Sequence, residues 1–428
     1  MLSQNPILPA NARVSEIWYV ATTGDDENSC VTSQAPCKTI SAPLDKPGFS
    51  TGDTILIGAG GYMSNGEYAL IIDQGAILSA GWDSTFTVQT FGTSAVQGTN
   101  GGGYISSGIT VRLINLSFYT QNGDGLENHG VVKVSDLWVW APNGTGLINA
   151  GDFTLLNGFS ENNFGPGIVN SGIFSGTNII VSGNRSGGIA NGGVMTLTQS
   201  VVEDYGDWFT TTIGNSGALT MRDSVIIDNF NPYTTPATAL YNTGSVTFIN
   251  TTIARSSGGD TTIFNAGGAD LHFYNSTFAF NSSGIKNASG GIVTLQNSIF
   301  AWNGSNCTGD PIQSLGYNLI DDTTGCIILS TPNDILNVSA LIFPVKGFAQ
   351  SFPFPANEEA LFAPLAFSSP AVNGGNPAGC FDDLGNPILT DQRGLPRSGA
   401  CDIGAYEYLA AYDPLHYSWL PEIFQFPP

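Results

Sequence analysis

Ile189-Ala-Asn191-Gly-Gly193, Ile213-Gly-Asn215-Ser-Gly217 and Leu240-Tyr-Asn242-Thr-Gly244 are three copies of one short phrase, an aliphatic residue, then asparagine two places on, then glycine two places further. Five more copies surround them, with asparagines at Asn128, Asn149, Asn170, Asn265 and Asn287, the last with Ser289 in place of the glycine. Their aliphatic residues are separated by 21, 21, 21, 24, 27, 23 and 22 positions. A fixed period of this length is the mark of a solenoid. A second polar register accompanies it at Asp136, Asn157, Asn178, Gln199, Asp223, Asn250, Asn275 and Asn297. Between the two lie short alternating runs rich in β-branched residues, such as Ser245-Val-Thr247-Phe-Ile249, which read as strands.

The pattern predicts an all-β fold, a right-handed parallel β-helix with an N-terminal cap and a disulfide-tied C-terminal region. Each coil lies on the one below at the strand spacing of roughly 4.8 Å. Equivalent residues then stack, and asparagines pass side-chain amide hydrogen bonds along a ladder, as in cross-β structures. Glycine after the asparagine is expected to supply a positive φ at the turn. A leucine-rich repeat also carries an asparagine ladder, but it needs leucine at fixed positions where this chain has Val, Ile, Thr and Phe. From Asp53 to Phe343 the period gives on the order of thirteen coils.

Formal charge is −22, from 34 acidic and 12 basic residues, which disfavours nucleic acid and anionic membranes as partners. No run of eighteen apolar residues occurs, so no membrane-spanning helix is expected. The six cysteines fall into close pairs, Cys30 with Cys37, Cys307 with Cys326 and Cys380 with Cys401. Fifteen connectivities are possible, and nearest-neighbour pairing is expected because each pair closes a stretch outside the regular coils. An even, paired set points to an oxidising compartment. The protein is read as extracellular, with its export signal outside this sequence.

Trp18-Tyr-Val-Ala-Thr-Thr-Gly-Asp25, Cys30 to Cys37-Lys-Thr-Ile40 and Gly52-Asp-Thr-Ile-Leu-Ile-Gly-Ala-Gly60 resemble the capping segment of secreted pectate-lyase-like β-helix proteins. Toward the other end, Leu315-Gly-Tyr-Asn-Leu-Ile320, Gly385-Asn-Pro387, Thr390-Asp-Gln-Arg-Gly394 and Cys401-Asp-Ile-Gly-Ala-Tyr-Glu407 follow in order. This series resembles bacterial surface proteins with a choice-of-anchor Q domain. The resemblance implies a right-handed β-helix on an exported surface protein, and implies no reaction. It divides the chain into a leader and cap over 1–52, coils over 53–345, the choice-of-anchor-like region over 346–408 and an aromatic, Pro-rich tail over 409–428. That tail lacks the apolar span and basic end of a cell-wall sorting signal.

Three consecutive coils carry extra residues at one point of the repeat, from Glu203 to Phe209, from Asp228 to Tyr233 and from Arg255 to Asp260. Stacking sets these insertions side by side as a lip, the usual place for binding on a solenoid. Tyr205, Trp208, Phe230, Tyr233 and Arg255 are the candidate ligand-binding residues. Trp140, Glu161 and Arg185 hold similar offsets in earlier coils and extend the lip. Aromatic faces beside carboxylates suit sugar rings.

The expected function is non-catalytic adhesion, carbohydrate binding or surface assembly, with a glycan or cell-surface polymer as partner. No cofactor or metal is expected. One alternative is a glycoside hydrolase acting on a neutral polysaccharide with carboxylates from Asp204, Asp207 and Asp228, since such enzymes need two flanking acids. Another is a self-assembling filament or homo-oligomer. A lyase of anionic polyuronate is disfavoured by the net charge, although Arg185, Arg222, Arg255 and Lys286 are basic. His129, His272 and His416 show no metal spacing.

Overall fold

The computed structural model describes residues 15–90, 94–203, 211–232, 236–345 and 362–409. They form a parallel β-solenoid of about twelve turns, without helices. A full coil in the regular region has three strands, for example Ser245–Ile249, Thr252–Ala254 and Ile263–Asn265. We call the three stacked sheets faces 1, 2 and 3. The turn count falls below thirteen because one early circuit is long, with Ala76 standing on Val111.

On face 3, Leu147, Ile168, Ile189, Ile213, Leu240 and Ile263 stand in one column. The asparagines two residues later form a continuous ladder. Asn128 Nδ2 donates to Asn149 Oδ1 at 2.8 Å, and equivalent bonds join Asn149, Asn170, Asn191, Asn215, Asn242, Asn265 and Asn287 at 2.7–3.0 Å. All eight side chains are buried, so each bond removes a polar group that the turn would otherwise strand.

Glycine in this phrase has a different cause from the one expected. These glycines do not have a positive φ. A Cβ on Gly172 would instead lie 2.0 Å from the Gly151 carbonyl oxygen, and one on Gly193 2.1 Å from that of Gly172. Close backbone approach between coils therefore excludes any side chain. The positive φ values fall on the second polar register. Asp136, Asn157, Asn178, Gln199, Asp223, Asn250, Asn275 and Asn297 have φ between 49° and 62° and turn the chain from face 1 to face 2. Asparagine and aspartate tolerate this left-handed region best. Their side chains also link, with Asn178 Nδ2 donating to Asn157 Oδ1 at 2.7 Å and Asn297 to Asn275 at 2.9 Å.

A third ladder runs where face 2 ends, and sequence reasoning missed it. Asn163 Nδ2 donates to Asn184 Oδ1 at 2.7 Å, and Asn281 Nδ2 to Asn303 Oδ1 at 3.0 Å. Each follows a left-handed residue, Asn162, Gly183, Phe280 or Trp302. That pairing of a bend residue with asparagine is the signal that could have found it.

Asp223 is the acidic rung of the second ladder and accepts from Asn250 Nδ2 at 2.9 Å. Burial, the largest influence, pushes its carboxyl up to about 6. A carboxyl raised in the folded state favours folding only when protonated, so its presence costs stability as pH rises from about 4 through about 6. A shift of this size corresponds to at most about 3 kcal/mol, and solvent near the site reduces it to about 1–2 kcal/mol. Asp223→Asn, the commonest residue of the column, is therefore expected to stabilise by about 1–2 kcal/mol at pH 8 and by almost nothing at pH 3.5. Urea-unfolding midpoints at the two pH values measure this.

Disulfides join Cys30 to Cys37, Cys307 to Cys326 and Cys380 to Cys401. The last lies in a strap, residues 362–409, that runs back along face 2 of the later coils. Leu365, Ala371, Ile403 and Tyr406 pack on Val201, Val225, Ile227, Ala254, Ala279 and Ile299. Ladder amides also reach it, Asn275 Nδ2 donating to the Phe381 carbonyl at 2.7 Å and Asn297 Nδ2 to that of Asp402 at 2.9 Å.

The strap accounts for the motifs at this end. Asp391 is fully buried and pairs with Arg393 at 2.6 Å, while the Arg393 guanidinium lies 3.7 Å from the Tyr406 ring centroid. Gln392 donates to the Ser224 carbonyl at 3.0 Å. Glu407 accepts from the Ser398 amide at 2.8 Å and pairs with Arg397. Gln392 ties the strap to the rod, and the other contacts fix the strap's own shape.

Candidate functional site

Face 2 changes character along the rod because the strap covers only its later coils. Two outward columns run through it. One passes Ser117, Trp138, Phe159, Ile180 and Val201. The other passes Met63, Gln97, Tyr119 and Trp140, then Glu161, Ser182 and Glu203; Trp140 reaches Glu161 because Val139 beside it stands on Ser160.

Strand alternation puts Val139 inside and both tryptophans outside. Trp138 is 44% exposed and Trp140 42%. Their rings do not stand alone. Trp140 lies 4.7 Å from Tyr119 and Trp138 6.3 Å from Phe159, centroid to centroid. The result is an exposed aromatic strip about two coils wide.

Toward the strap the strip descends. Phe159 and Glu161 are half-buried, and Ile180, Ser182, Val201 and Glu203 are buried. Burial raises the Glu161 carboxyl, and the nearby Trp138 indole acts against the rise. Glu203 sits deeper. Burial first and the neighbouring Asp228 second push it up to about 7, with Arg255 acting against them. Its Oε2 and the Ser182 Oγ are buried, and among the described residues neither has a hydrogen-bond partner. Arg255 closes this end, pairing through Nε with Asp228 Oδ1 at 2.7 Å and donating from Nη1 to the Val345 carbonyl at 3.0 Å. Burial raises the Asp228 carboxyl too, against the pull of Arg255.

Of the residues expected at the lip, Asp204, Tyr205, Asp207, Trp208 and Tyr233 lie outside the described residues. Phe230 is 44% exposed, and Phe230–Asn231 pairs with Ser257–Gly258, so two successive insertions do stack. Trp140 and Glu161 lie on the strip itself. Trp138, Tyr119, Phe159 and Ser182 were not singled out from the sequence. The signal for the first was the alternation Trp138-Val139-Trp140.

His129 and His272 are placed elsewhere, and His416 lies outside the described residues. His129 Nε2 lies 2.7 Å from Glu127 Oε1, and His272 Nδ1 2.7 Å from Thr294 Oγ1. Among the described residues no three His, Cys, Asp or Glu side chains converge to hold a metal ion.

No protein-family model matches the chain, and no curated protein matches it in sequence. Solved structures do match. The pectate lyase Pel9A aligns over 93% of this chain and 98% of its own, with TM-score 0.52 and 16% identity. The PL6-family alginate lyase AlyGC aligns over 80% of this chain and 60% of its own, with TM-score 0.48 and 11% identity. A rhamnogalacturonan lyase aligns over 65% and 84%, with TM-score 0.33 and 14% identity. At such identities the likeness is one of fold. The chain shares the right-handed parallel β-helix fold with Pel9A.

Proposed function

We propose that this is an extracellular carbohydrate-binding β-helix, displayed at or released from a cell surface, whose glycan platform is the aromatic strip on face 2. The observation that carries the reading is the uncovered pair Trp138 and Trp140, each backed by a second ring, on a face that the strap buries along its later coils. Exposed aromatics in a contiguous patch mark an interaction site. Aromatic faces stack on the C–H faces of sugar rings, and Glu161 beside them accepts sugar hydroxyls.

The ligand class follows from charge. Glu161, Glu203 and the net charge of −22 repel polyuronates, so a neutral polysaccharide fits and an anionic one does not. Three disulfides suit an oxidising, extracellular setting. No helix among the described residues is long and apolar enough to cross a membrane. The ordered motifs of the strap resemble those of choice-of-anchor Q surface proteins and support display at the surface.

Affinity electrophoresis through gels containing glucan, mannan, xylan or galactan tests the proposal. Retardation is expected in at least one gel. Trp138→Ala or Trp140→Ala should each weaken it about tenfold, the loss of one stacking contact. Phe230→Ala should leave it unchanged. No retardation in any gel, or retardation indifferent to both tryptophans, refutes the platform.

A further inference from the structure

The strip is open at one end and closed at the other, and the closed end carries two polar atoms without partners. Ser182 is 3% exposed and Glu203 9%, and they stand on each other in adjacent coils of one outward column. The surrounding groups are already engaged. Asp228 takes Arg255, which also holds the Val345 carbonyl. Ser182 Oγ and Glu203 Oε2 are left over among the described residues. A buried polar group without a partner costs stability, so a pair kept at the end of a groove calls for an occupant.

We infer that Ser182 and Glu203 form a chain-end pocket, in which the terminal sugar of a neutral glycan lying on the strip inserts one hydroxyl between the two side chains. Adjacent coils are roughly 4.8 Å apart. One hydroxyl spans such a gap with two hydrogen bonds of about 2.7 Å. It donates to Glu203 Oε2 and accepts from the Ser182 hydroxyl. A protonated Glu203 serves as well, donating while the sugar hydroxyl turns, so the pocket accepts a neutral group in either state.

The geometry also excludes an internal stretch of polymer. Beyond Glu203 the same columns are filled by Ile227 and Val225 beneath the strap, and Arg255 bridges to Val345 across the exit. A chain entering over Trp140 therefore stops at Glu203. The pocket distinguishes chain ends from chain interiors, a selectivity that the open strip cannot provide.

This inference rests on the glycan platform, and the experiment separates the two. Whichever of glucan, mannan, xylan or galactan retards the protein is titrated calorimetrically as intact polymer and, at equal mass, after partial hydrolysis to hexamers. Chain-end recognition predicts that binding sites per gram rise in proportion to the number of ends. Glu203→Leu and Ser182→Ala should each lower hexamer affinity about tenfold, as loss of a buried hydrogen bond does. Both should also weaken the retardation on polymer, because a chain seats on the strip by its end. Sites per gram unchanged by hydrolysis would overturn the inference and leave the platform standing. Unaltered hexamer affinity in both variants would mean that the pocket holds a structural water only, which overturns it equally. Absence of retardation in the wild type would instead remove the platform, and the inference with it.

Discussion

Arg397→Ala is expected to lower stability by about 3–5 kcal/mol, because it removes one partner of a buried ion pair. The Arg397 side chain is 5% exposed and that of Glu407 2%, with Nη1 of the arginine 3.3 Å from Glu407 Oε2. The other arms of the guanidinium reach Asn250 Oδ1 at 2.7 Å and the Gly404 and Thr390 carbonyls at 2.9 and 3.3 Å. Truncation leaves the Glu407 carboxylate buried without its cation and cuts the tie between strap and ladder. Arg397→Lys keeps the charge but not the fork, and should recover only part of the loss. Limited proteolysis should cut within residues 362–409 of the alanine variant first, and the urea midpoint should fall. A variant with wild-type protease resistance and midpoint would show that the strap is held mainly by its apolar contacts.

Asn191→Ala is expected to cost about 3 kcal/mol. Asn191 Oδ1 accepts from Asn170 Nδ2 at 2.8 Å, while its own amide donates to Asn215 Oδ1 at 2.7 Å and to the Ala218 carbonyl at 3.0 Å. Alanine strands all three neighbours in a buried column, at about 1–3 kcal/mol for each group that finds no water. A solenoid is held by contacts between neighbouring coils, so the break weakens the rod at one level rather than everywhere. Hydrogen exchange should accelerate at Ile189–Asn191 and Ile213–Asn215 before other coils. Asn122→Ala, at an exposed asparagine, should change the midpoint little.

The coils could be read from the sequence because stacking makes every chemical demand recur at one period. Asn191 and its equivalents are visible for that reason, as are the bend residues from Asp136 to Asn297. Periodicity shows that a residue type is required, not why. Gly172 and Gly193 were assigned to a turn conformation when the demand is the carbonyl of the coil below. The third ladder was hidden because its bend column mixes Asn162, Gly183, Phe280 and Trp302, which share a φ but no chemistry. Charge and loop insertions drew attention to the region after Glu203, whereas Trp138 and Trp140 look like ordinary strand residues until it is known which face the strap leaves bare. That knowledge depends on contacts such as Ile403 with the Val225 column, across well over a hundred residues of chain, which no local pattern encodes.

Fluorine NMR of the fluorotryptophan-labelled protein tests the platform most directly. The seven tryptophans give separable signals, assigned by replacing each with phenylalanine. On titration with hexamers of the polysaccharide that retards the protein, the signals of Trp138 and Trp140 should shift together and saturate, while the others hold still. Shifts confined to Trp208 or to any other tryptophan, or no shift at saturating sugar, would contradict the account.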